Sequence, residues 1–213
     1  MLDIKTLFII NFIILLVLSI YFFYLYKKNT VNVTLQYILY FCALYTVALF
    51  LFILRNHISD FISMVMANTF FAIANISLYI AIRSLFYENT KWYNRYWLPV
   101  LVVFIGFCIF IYLHYDSNIR VLIYVFFALF YSLLNMKLFL FSSSLKFKVF
   151  DTLSFIFFLL TSILYVSIAI RINFRHVETY YFSNVDIFIS LINYHMFILN
   201  FWIIALIHYR IKK

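Results

Sequence analysis

Seven apolar stretches follow one another along the chain, each closed by a short cluster of charged, amide or aromatic residues. They lie at Leu7–Tyr26, Gln36–Leu54, Phe61–Ile82, Trp97–His114, Val121–Phe141, Phe150–Ile170 and Ile187–Tyr209. At 1.5 Å per residue each is long enough, or nearly so, to cross ~30 Å of hydrocarbon as a helix. The pattern predicts an all-α polytopic membrane protein, a seven-transmembrane-helix bundle in which residues 1–213 form one integral membrane domain. The first stretch is not a cleaved leader: it has no basic segment before it and no small-x-small cleavage site after it.

Polar positions inside these stretches are few, and they are spaced. In the third, "MANTFFAIANI" places Asn68 and Asn75 seven residues apart, with Ala67, Ala74 and Ala81 at the same interval. Two helical turns put the amides on one stripe, beside small residues that permit close helix approach. The seventh stretch repeats the spacing with Asn193 and Asn200, and the fifth contributes Asn135. Counted from the outer ends of their stretches, the five amides fall at two shared depths. An unpartnered amide in hydrocarbon costs several kcal/mol. The expectation is therefore a polar axis joining stretches 3, 5 and 7, with Ser154, Thr161 and Ser162 of the sixth beside it. Its bland reading is amide glue between helices; its functional reading is a pocket for a small polar ligand or water. Arg55 and Asp60 stand at the outer rim of this axis.

Composition agrees with the pattern and rules out a soluble domain. The chain is 68% hydrophobic and 11% charged, with one glycine and one proline, and its mean hydropathy is +1.06. A soluble fold of this length has many more turn residues and far more charge. Charge then orients the bundle. Eleven of the sixteen basic residues, among them Lys27, Lys28, Arg83, Lys137 and Lys213, fall on one side together with Glu88 and Asp151. The other side holds five basic and five acidic residues, so the whole net charge of +9 lies on the first. By the positive-inside rule that side is cytoplasmic, with the amino terminus outside and the carboxyl terminus inside. The basic excess is explained by topology and headgroup attraction; no basic patch concentrated enough for nucleic acid is present.

Catalytic and cofactor chemistry finds no support. One glycine, Gly106, cannot build a phosphate-cradling loop, and neither HExxH nor a serine elbow occurs. His57, His114 and His176 lie near the outer surface without ligand spacing, and His195 has no interior histidine with which to hold a haem. No lysine occurs in the seventh stretch to bind retinal. All seven acids map to loops or stretch edges, which weighs against proton-coupled transport. Cys42 and Cys108 read as small apolar residues at different depths. The expectation is a chain that is not an enzyme and carries no cofactor or metal.

The segment Leu51–Asn89 resembles the amino-terminal membrane region of many bacterial GGDEF-type diguanylate cyclases. In that group an arginine follows span 2, an aspartate precedes span 3, an "aN" pair lies within span 3 and an R-x-x-F element ends it. Arg55, Asp60, Ala67 with Asn68, and Arg83 with Phe86 occupy those places here. The resemblance implies a sensory input module of the bacterial inner membrane, acting on a cytoplasmic partner or as a homodimer. This chain ends at "HYRIKK", without the helical linker and cyclase domain that the resemblance places after span 7. It is expected to act on a partner or to be a fragment, and not to make cyclic di-GMP itself. The competing expectation is a small-solute transporter or a membrane subunit of one, although no internal repeat supports two inverted halves.

Overall fold

The computed structural model describes residues 4–29, 32–55, 57–87, 97–113, 117–140 and 148–174, together with 198, 199, 202 and 205. Six α-helices account for nearly all of these: α1 Ile4–Lys28, α2 Val33–Ile53, α3 Ala67–Ser84, α4 Trp97–Leu113, α5 Ser117–Leu140 and α6 Lys148–Phe174. No strand occurs among the described residues, and one isolated bridge, Arg55 to Ile58, closes the turn after α2. Of the seventh apolar stretch only Ile198, Leu199, Trp202 and Ala205 are described, each in helical conformation.

Three helical stretches are long and apolar enough to cross a membrane: Thr6–Lys28, Val33–Ile53 and Phe61–Ser84. Shorter apolar helices cover Leu98–Ile109, Val125–Leu140 and Asp151–Ser167. Several helices run past the apolar limits read from the sequence. α5 starts at Ser117, four residues before Val121, and α6 continues to Phe174. The reason is that charged residues such as Arg120 and Arg171 do not break a helix; they only end its apolar part.

Helices α2 and α3 pack most extensively, α1 lies against α2, and α5 pairs with α6 while also touching α3 and α4. The tight connection from α1 to α2 is capped by Asn32, whose side chain accepts the Leu35 N–H at 3.1 Å. Thr34 at the start of α2 and Ser84 at the end of α3 share a 2.6 Å hydrogen bond, which fixes those two ends at one level. Aromatic rings fill the α2–α3 interface. Phe71 lies 4.5 Å from Tyr45 and 5.4 Å from Phe52, ring centre to ring centre.

The outside of the bundle is as apolar as its inside, and in α6 the buried stripe is the more polar of the two. Its buried stripe is Asp151, Ser154, Phe158, Thr161, Ser162 and Tyr165, while Leu153, Ile156, Leu159, Leu160, Ile163, Val166 and Ile170 are exposed. Water would drive the opposite arrangement; a hydrocarbon surround accepts this one, because lipid tails are as apolar as the leucines they touch.

One element was not anticipated by periodicity. The six residues Phe61–Met66 form a π-helix that leads directly into α3. Such wide turns are uncommon and leave irregular carbonyls where they return to α geometry.

Candidate polar site

Asn68 closes that return. Met64 O accepts the Ala67 N–H and also the Asn68 Nδ2 at 2.7 Å, so the amide satisfies a carbonyl at the π-to-α junction. Two turns further along the same face, Asn75 bonds its own helix likewise, donating to Phe71 O at 2.8 Å. Asn68 is buried and Asn75 half-buried. Among the described residues no hydrogen bond joins either of them to the other or to Asn135. The stripe predicted from the seven-residue spacing is present, but its amides bond to their own helix and not across to another.

The two shared depths also need correction. Parallel helices α3 and α5 are registered by two ring contacts, Tyr79 with Tyr131 at 6.1 Å and Phe86 with Phe139 at 5.4 Å. That register puts Asn135 level with Ile82 and Arg83, about 11 Å further along the bundle than Asn75 at 1.5 Å per residue. Counting from the start of an apolar stretch misled here, because α5 begins well before its apolar part does.

Asn135 differs from the other two amides. It is 3% exposed, and its Oδ1 has no hydrogen-bond partner. Leaving such a carbonyl unpaired in a buried setting costs typically ~1–3 kcal/mol. Around it the α5–α6 interface is polar. Ser132 Oγ donates across the interface to Phe158 O at 2.9 Å, and Ser162 Oγ lies 3.1 Å from Ser132 Oγ. Further along α6, Ser154 accepts the Trp202 indole N–H at 2.9 Å. Trp202 stacks on Phe157 and stands edge-on to Phe139 and Phe158. Trp202 of the seventh stretch is thereby tied to α6 through an indole hydrogen bond set in an aromatic cluster.

Arg55 and Asp60 are exposed at the end of the bundle that carries the π-helix. Asn193 and Asn200 lie outside the described residues, so the part of the axis assigned to the seventh stretch does too. Four polar groups escaped sequence reasoning. Asn11 is buried within α1, Asp151 is buried in the first turn of α6, Ser63 is fully buried in the π-helix with no partner for its Oγ, and Ser132 bridges two helices. Asn11 carried a readable signal, a lone amide in an apolar run. Asp151 was assigned to a stretch edge by position, and only the fold reveals its burial.

The two cysteines are free thiols. Among the described residues no group of three His, Cys, Asp or Glu side chains is placed to hold a metal. No family model matches the chain, and neither curated proteins nor solved structures provide a match.

Proposed function

We propose that this chain is a non-enzymatic sensory or signal-transducing module of a bacterial inner membrane. In this reading it crosses the bilayer seven times, with its amino terminus outside and its carboxyl terminus in the cytoplasm. A small polar ligand, or a change in the membrane itself, favours one packing of the polar α5–α6 interface over another. The seventh stretch then moves and passes the change to a cytoplasmic partner. Only a ligand that binds the two packings unequally can do this.

The observation that carries the reading is Asn135: a buried amide whose oxygen has no partner, beside an interface already lined by Ser132 and Ser162. A bundle optimised only for stability would hold an apolar residue there. Supporting it are the Trp202–Ser154 bond, a polar tie between the seventh stretch and α6, and the resemblance of Leu51–Asn89 to cyclase input regions. The test is affinity purification of the full chain from native membrane. Recovery of a diguanylate cyclase or another signalling enzyme, in an amount that falls with Trp202→Phe, supports the reading. Recovery of a transporter ATPase overturns it in favour of a transport subunit.

A further inference from the structure

Helix α1 exposes one continuous apolar stripe. Ile9, Ile13, Leu16, Val17 and Ile20 are 41–64% exposed, and Tyr21, Phe23 and Tyr24 continue the exposed surface toward the helix end. The three- and four-residue steps from Ile9 through Ile13, Leu16, Ile20 and Phe23 to Lys27 keep one face of the helix. At its end the stripe changes character. The Lys27 ammonium lies 5.0 Å from the centre of the Phe23 ring, and that of Lys28 lies 4.6 Å from the Tyr24 ring. Each lysine sits four residues after its ring, so the rings hold both cations along the helix flank. A third cation, Arg83, lies 5.8 Å from the Tyr87 ring at the end of α3. Thr34 and Ser84 are hydrogen-bonded, which brings the ends of α1 and α3 to the same face of the bundle.

We infer that this surface is a docking site for one anionic phospholipid, with an acyl chain along the α1 stripe and its phosphate at Lys27 and Lys28. The dimensions agree. From Lys27 back to Val17 is about 15 Å of helix, half the hydrocarbon thickness of a bilayer and hence one leaflet. The charge selects the occupant. A second copy packed on the same stripe as a parallel α1 pair would bring four lysines together, which like-charge repulsion opposes, whereas a phosphate is drawn to them. Pinning by Phe23 and Tyr24 matters because an unrestrained lysine loses rotamer freedom on binding; here part of that loss is already incurred in the free protein. The inference needs the chain to lie in a bilayer and does not depend on the signalling reading.

The test places the full chain in phosphatidylcholine nanodiscs with a trace of spin-labelled phosphatidylglycerol or spin-labelled phosphatidylcholine, and compares the motionally restricted fractions. The wild type is expected to prefer phosphatidylglycerol. Lys27→Gln and Lys28→Gln should each lower the preference up to about fivefold, and Phe23→Leu with Tyr24→Leu should lower it with the charge unchanged. A control, Lys213→Gln, removes the same single charge at another position of the chain and should leave the preference intact. Equal losses in the control and in the Lys27 and Lys28 variants would overturn the site, leaving a diffuse charge effect. So would a disulfide between copies of a Val17→Cys variant in the same discs, which would assign the stripe to a second protomer.

Discussion

Along the middle of the α2–α3 contact rings meet, Phe71 against Tyr45 and Phe52, and the amides of α3 turn inward on their own helix; the Thr34–Ser84 bond crosses only at the helix ends. Where α5 meets α6 rings also meet, Phe139 on Phe158, but Ser132 reaches across to Phe158 O, the carbonyl that Ser162 of α6 also approaches. Both pairings are extensive, and both contain polar side chains. The difference lies in whether those side chains are satisfied within a helix or between helices. A locally bonded amide leaves the packing of its helix free to be set by shape. A hydroxyl bonded across an interface makes two helices depend on one another, and an amide with no partner beside it gives that interface something to gain.

Truncation should separate the two regions most sharply at Phe71. Phe71→Ala removes a buried ring and leaves a cavity, so unfolding in mixed micelles should show a loss of about 3 kcal/mol. A loss below about 1 kcal/mol would mean that the α2–α3 interface is not held by its rings. Asn135→Leu should move stability the other way, by roughly +1 kcal/mol, since it replaces an orphan oxygen with packing. A destabilised variant would show that Asn135 is already bonded in the membrane. Ser132→Ala should cost about 0.6 kcal/mol, the usual worth of one interhelical hydrogen bond in a bundle. Combined with Ser162→Ala, its effect should be non-additive, because the two hydroxyls share a partner. Smallest is Asn75→Leu, expected within about 0.5 kcal/mol of wild type in the same assay, since the bond it removes is to its own helix. A large loss there would restore Asn75 to an interhelical role.

The helices were legible because hydrocarbon imposes a minimum length on any apolar run, and α1, α2 and the π-helix joined to α3 meet it. The stripe of Asn68 and Asn75 was legible too, because seven residues are nearly two full turns. What those amides bond to was not. Spacing fixes the face on which a side chain lies, but a donor at that position can reach the carbonyl four residues back as readily as a neighbouring helix. Depth was misjudged for a related reason: Asn135 was counted from an apolar edge, whereas register is set by contacts such as Tyr79 with Tyr131. Ser63 and Asp151 became visible only as burial, a property of the assembled bundle.

The wide turn at Phe61–Met66 separates what precedes α3 from what α3 presents to its neighbours. Removing one residue from that segment would tighten it to ordinary geometry and swing Asp60 and the loop before it by about 100° around the axis, while every side chain from Ala67 onward kept its heading. Because Ser63, Met64 and Val65 of that segment are buried, such a change would re-aim the exposed loop and the packed residues of the turn together, coupling the loop's heading to the interior.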